Sequence, residues 1–186
     1  MIKTIIWKVV LFINSQLLRI FGAYQFSEIF RKLAYRGMLF KLKKQNVKIG
    51  SNSVVYNTKF SYSSQGDSFF IGDNTTITGA TLLGHDASPC VFLDELIVKK
   101  NVWSSGSRKS FRDPIRVGNN VFVGHGAIIL PGVAIGDNTI VAAGSVVIKN
   151  LESDSVYAGN PAKKVKDIES YKCKYKSLLR DFPEKF

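Results

Sequence analysis

Aliphatic residues stand at every sixth position from Val117 to Val147, through Val123, Ile129, Ile135 and Val141, with Gly, Asn and Asp filling many of the places between. A period of six matches neither the 3.6 residues of a helical turn nor the two-residue alternation of a flat strand. It predicts a solenoid whose coils each present one aliphatic residue per short face. Four positions after each of these come Val121, Ala127, Val133, Thr139, Ser145 and Leu151, mostly small or β-branched. Both sets are expected to point inward, and three hexads then make one coil of a triangular parallel β-helix. No single coil is stable alone, because its aliphatic face is buried only by its neighbours. Gly118-Asn119-Asn120, Gly124, Gly132, Gly136-Asp137-Asn138 and Gly144 are of the residue types that accept tight corners, and they mark the bends. The same register is read earlier at Ile49, Val55, Ile71, Ile77 and Leu83, with one slip between Val55 and Ile71 and a long interruption between Leu83 and Val117.

The flanks differ in character. The first 48 residues hold ten Lys and Arg against the single acid Glu28, which is +9 of the chain's formal +12. Ile2 to Phe21 is rich in apolar residues, but Lys3, Lys8, Asn14, Ser15, Gln16 and Arg19 interrupt it, which argues against a transmembrane span. No A-x-A-like cleavage site follows, which argues against a secretory signal. One or two amphipathic helices are expected instead, with Ser27 capping the second. Residues 1–46 are therefore read as a helical cap over the open end of the solenoid. Their charge also suits peripheral contact with an anionic membrane face. Nucleic acid is excluded as a partner because no recognition motif accompanies the charge.

The rest divides into the β-helix at 47–165, broken by the loop 84–113, and a C-terminal helix at 166–186 carrying Tyr171, Tyr175, Leu178, Leu179 and Phe182. A chain of 186 residues with 45% hydrophobic content can bury one real core. Its two cysteines, Cys90 and Cys173, lack zinc-type spacing and fit a reducing cytoplasm better than a disulfide framework.

The hexads from Pro114 to Lys149, followed by Ala158-Gly159-Asn160-Pro161-Ala162-Lys163, resemble the C-terminal half of the hexapeptide-repeat acyltransferases, in their sugar and xenobiotic acetyltransferase branches. The resemblance covers roughly residues 47 to 168. It implies an all-β solenoid, a left-handed parallel β-helix, assembled as a homotrimer that uses acetyl-CoA and no metal. The acceptor it implies is a sugar or polysaccharide precursor, of an acidic kind if the basic charge steers it.

Chemistry is expected in the long interruption, since a loop leaving a rigid prism can set a base beside a neighbouring surface. His85 opens that loop, in the run Leu82-Leu83-Gly84-His85-Asp86, and matches the family's catalytic histidine. It is the expected general base, taking the proton of a sugar hydroxyl as the oxygen attacks an acetyl thioester. Asp86 is a candidate to orient the ring. By the same resemblance His125 lines the acyl-donor tunnel. Ala143, Ile148 and Lys149 follow along the pantetheine arm, Lys163 and Lys166 lie near the nucleotide phosphates, and Asn57 contacts the acceptor. A nucleophilic Cys90 lacks any sign of activation. A three-histidine zinc site cannot be filled from His85 and His125 alone.

The expected function is O-acetyl transfer from acetyl-CoA to a sugar in surface polysaccharide biosynthesis. The alternatives are xenobiotic, antibiotic or amino-acid O-acetylation, sugar N-acetylation, or a non-catalytic scaffold.

Overall fold

A computed structural model describes residues 24–186, which form two compact units divided after Lys44. The first holds one described helix, α1 (Tyr24–Lys44). Lys41, Lys43 and Lys44 fill its last turn, where cations complement the negative end of the helix dipole. Glu28 and Lys32 form an i,i+4 ion pair at 2.7 Å. Ser27 falls inside α1, so it does not cap the start of the described helix. The apolar stretch Ile2 to Phe21 lies outside the described residues. Among those described, no helix is long and apolar enough to cross a membrane.

The second unit is a prism of short strands. Its first coil is β1 (Val47–Ile49), β2 (Val54–Tyr56) and β3 (Lys59–Ser61), and its second is β4 (Phe69–Ile71), β5 (Thr76–Thr78) and β6 (Thr81–Leu83). After the long loop come β7 (Ile115–Val117), β8 (Phe122–Val123) and β9 (Ile128–Ile129), then β10 (Ala134–Ile135), β11 (Ile140–Val141) and β12 (Val146–Val147). Every third strand stacks in parallel on the one below, giving three sheets in the orders β1-β4-β7-β10, β2-β5-β8-β11 and β3-β6-β9-β12. β13 (Ser155–Ala158) extends the second sheet in parallel on β11, and β14 (Lys163–Asp167) turns back antiparallel. The helix α2 (Ile168–Asp181) follows, its N-cap Asp167 accepting from the Ser170 backbone N–H.

Both inward sets are buried as expected: Val117, Val123, Ile129, Ile135, Val141 and Val147 with Val121, Ala127, Val133, Thr139, Ser145 and Leu151. Because strands alternate their side chains, these twelve residues fill the column and their neighbours line the outside. At the corner between the first and second sheets the amides stack in a ladder. Asn52 donates to Asn74, Asn74 to Asn120, Asn120 to Asn138, and Asn138 to Asp154, at 2.7–3.0 Å. All five have positive φ, which Asn and Asp tolerate better than other residues with a side chain.

One register is corrected. Leu82, not Leu83, is the fully buried residue of β6, and it stands level with Ile129. The steps from Val55 to Phe60 and from Ile77 to Leu82 are five residues, where the upper coils take six. The lower coils thus turn from the second sheet to the third with one residue fewer. The slip read between Val55 and Ile71 is this short step followed by a bulging connection, residues 62–68.

Candidate active site

The corner between the third and first sheets carries both irregular connections, 62–68 from β3 to β4 and 84–114 from β6 to β7. The register places them one above the other, since β3 pairs with β6 and β4 with β7. His85 is the second residue after β6, and its Nδ1 lies 2.9 Å from Oδ2 of Asp67 in the lower connection. Asp67 is fully buried at its side chain, while the ring is 27% exposed, so the imidazole can meet a solute and its partner cannot.

Besides His85, two groups hold the carboxylate and a third holds its backbone. The Ser63 backbone N–H donates to Oδ2. Nε of Arg112, at the end of the upper loop, sits 3.1 Å from Oδ1 as an ion pair rather than an aligned hydrogen bond. The Asn46 amide donates to the Asp67 main-chain carbonyl at 3.1 Å and fixes the backbone. A carboxylate buried without such partners would be strongly disfavoured in its charged form. Arg112 also donates to Gln65 Oε1 at 3.0 Å and to the Ser110 carbonyl at 3.0 Å, which ties the upper loop to the lower connection.

Gly84 makes the approach possible. A Cβ there would meet the Ser61 carbonyl oxygen at 2.7 Å and the Asp67 carboxyl carbon at 2.8 Å, both closer than real Cβ contacts. With Nδ1 facing an anion, the proton of the neutral ring belongs on Nδ1, and Nε2 carries the lone pair. The arrangement is that of an imidazole base positioned by a carboxylate.

Asp86 does not take the orienting place. Its carboxylate accepts from the backbone N–H and hydroxyl of Ser88, at 2.8 and 2.9 Å, and its backbone bridges to Phe111. Asp67 and Arg112 are the residues that sequence reasoning missed. Their only signal was position: Asp67 interrupts the register at the slip, and Arg112 closes the long loop just before the register resumes. The thiol of Cys90 donates to the Lys109 carbonyl.

The remaining expected site residues lie elsewhere on the prism. Asn57, His125 and Ala143 occupy the first, third and fourth levels of the corner between the second and third sheets. Asn57 is exposed with φ of 49°. The His125 ring covers Gly79, where any Cβ would overlap it, because the shorter lower corner leaves room for the longer one above. The Gly144 N–H donates to the His125 carbonyl at 2.8 Å, so His125 and Ala143 follow one another up this edge. Ile148 and Lys149 follow β12 at the corner of His85, two coils above the long loop's end, and both are exposed. Lys163 and Lys166 are exposed on β14. Within one copy of the chain, His85 and the His125–Ala143 edge are therefore on different corners.

Comparison with known proteins bears on the whole prism. Residues 114–149 match the bacterial transferase hexapeptide family, six repeats. The chain is 36% identical over 150 residues to Protein CapG of Staphylococcus aureus, covering 79% of this chain and 81% of that one. It is 37% identical over 98 residues to galactoside O-acetyltransferase of Escherichia coli, covering 53% of this chain and 43% of that one. With that enzyme and two yeast relatives, the chain spans only 43–60% of the other protein's length. Among solved structures, a galactoside acetyltransferase in complex with coenzyme A superposes with a TM-score of 0.52 at 23% identity, covering 90% of this chain and 84% of that one. That likeness concerns the fold and identifies the prism as a left-handed β-helix. Six-residue repeats stacked on an aliphatic column, and a relative aligned over most of both lengths, lead to one conclusion: this chain belongs to the hexapeptide-repeat transferase family.

Proposed function

We propose that the protein is an O-acetyltransferase that moves acetyl from acetyl-CoA to a hydroxyl of a sugar destined for a surface polysaccharide. The observation that carries this reading is the buried Asp67 carboxylate on Nδ1 of His85, which leaves Nε2 as a base at the head of the long loop. His85 Nε2 takes the proton of the acceptor hydroxyl as its oxygen bonds to the acetyl carbon. The thioester C–S bond breaks, and the imidazolium returns the proton to the departing sulfur. No covalent enzyme intermediate is needed, because a thioester is already activated. Asp67 stabilises the imidazolium and fixes the tautomer, and Arg112 holds Asp67.

The donor is assigned to the edge of His125 and Ala143 in one copy, with Lys163 and Lys166 as point charges for the phosphates and Ile148 and Lys149 reaching the pantetheine arm from the corner of the copy that supplies His85. Since that edge and His85 occupy different corners, the working unit is a trimer in which His85 of one copy faces the donor edge of the next. Asn57 is assigned to the acceptor from the same edge. The two free cysteines suit a reducing cytoplasm. The basic first 48 residues suit the anionic face of a membrane. The relatives named for galactoside O-acetylation and the 28%-identical maltose O-acetyltransferase from Clostridium difficile 630 favour a sugar acceptor.

The test is thiol release from acetyl-CoA across a panel of sugars, with His85→Ala beside the parent. A loss of about 10²–10⁴ in kcat with little change in donor affinity is expected for a general base. Undiminished turnover would remove His85 from the mechanism.

A further inference from the structure

The first sheet presents an unusual row on its outer face, beside the corner that holds His85. Lys48, Phe70 and Arg116 are direct cross-strand partners on β1, β4 and β7. All three alternate with buried or, at Ile49, half-buried neighbours and so point outward. The Lys48 ammonium lies 5.2 Å from the Phe70 ring centroid and the Arg116 guanidinium 5.0 Å from it, so the two cations are within about 10 Å of one another. Neither has an acidic partner among the described residues. One cation over one ring is a common packing device. Two on a single ring, both exposed and both uncompensated, repel each other and leave a concentrated positive charge.

The row is close to the base along both connections. Phe70 is three residues beyond Asp67 and Arg116 four beyond Arg112, which is roughly 10–13 Å of extended chain. An acceptor whose hydroxyl reaches His85 Nε2 can therefore extend its next group or next sugar over this face. A half-buried phenyl ring offers an apolar surface for the C–H face of a pyranose, and the flanking cations offer sites for an anion.

We infer that Lys48, Phe70 and Arg116 form an acceptor subsite that selects an anionic sugar, one bearing a carboxylate or a phosphate. This rests on the acetyl-transfer reading of His85 and names the substrate class of that site. Carboxylate and phosphate present the same chemistry to this pair of cations, and separate probes distinguish them.

The experiment compares three acceptors with the full-length chain: methyl galactoside, its C6 carboxylate and its 6-phosphate. Turnover and equilibrium binding are both measured, for the parent and for Lys48→Gln/Arg116→Gln. At least one anionic probe is expected to exceed the neutral sugar in kcat/KM. That ratio should fall about tenfold in the double variant, through KM, since each exposed charge contact is modest and two act together. It should also fall with added salt. Preference for the carboxylate alone names a uronic-acid-type acceptor, and preference for the phosphate alone a sugar phosphate. Arg116→Glu inverts one charge at an exposed position and should lower the ratio further. An unchanged ratio in the double variant, or affinities no greater for the anionic probes than for the neutral sugar, overturns the subsite. Anion binding that depends on Lys48 and Arg116 without any acetyl transfer supports the subsite and overturns the catalytic reading instead.

Discussion

At the scale of single residues, the proposed site turns on one carboxylate that is not adjacent in sequence to the imidazole it holds. Asp67 is eighteen residues before His85, and the two meet because Gly84 lacks a Cβ. Asp67→Asn keeps the shape but replaces an acceptor with an amide that can donate to Nδ1, which favours the tautomer whose proton sits on Nε2. A base protonated at its working nitrogen cannot take the acceptor's proton, so kcat should fall by about 10²–10⁴ with the acetyl-CoA KM almost unchanged. Steady-state kinetics on a sugar acceptor, with the pH profile of kcat, checks this. A parent-like kcat would leave Asp67 a merely structural residue. His85 was legible in the sequence because it opens the longer interruption of a regular repeat. Asp67 was not, because a short slip in register reads as noise until the stacking of β3 on β6 shows what lies beneath the loop. Asp86 was the natural sequence candidate, yet consecutive residues in an extended segment point to opposite sides, and Ser88 takes its carboxylate.

At the scale of elements, the six-residue period carried the prism. Each hexad supplies its own inward pair, and the pattern needs no long-range information to be read. The one misplaced position, Leu83 for Leu82, comes from corner length, which periodicity does not encode. The ends of the solenoid are set by local chemistry instead. α2 starts where Asp167 accepts from the Ser170 N–H and hydroxyl at 2.8 and 2.9 Å, and these bonds, backbone first, hold its carboxyl below the ordinary value of 3.8. The sign follows from linkage: a depressed folded value means the cap stabilises α2 above the unfolded value and is lost as pH falls through the folded one. Amide protection at Ser170 and Tyr171, corrected for intrinsic exchange, should be constant from pH 8 to about 5 and drop toward pH 3. Asp167→Ala should exchange faster at pH 6 and show no further acid step at these amides. A matching acid step in that variant would assign the effect to another group.

At the scale of the whole molecule, the separation of the proposed base and donor edge sets the assembly. Three sheets meet at three corners, and His85 shares none of its corner with His125 or Ala143. On the proposed assignment a complete site needs the edges of two copies, and the proposed cyclic trimer supplies each copy with one of each. This makes a demand that a self-contained monomer does not. Take His85→Ala, which removes the base, and Ala143→Trp, whose bulk should block the donor edge at an exposed position and leave the column intact. Each variant alone should be nearly inactive. Co-expressed in equal amounts as mixed trimers, they form a site with an intact base on one copy and an intact edge on the next at roughly a quarter of the interfaces, since each condition is met about half the time. Acetyl transfer should therefore return to roughly a quarter of the parent's rate per site. Mixing the two after separate assembly, without subunit exchange, should restore nothing. If co-expression restores nothing while the mixed trimers form, the two-copy site is overturned; if Ala143→Trp alone keeps the parent's activity, the donor lies instead at the corner of Ile148 and Lys149, which is that of His85.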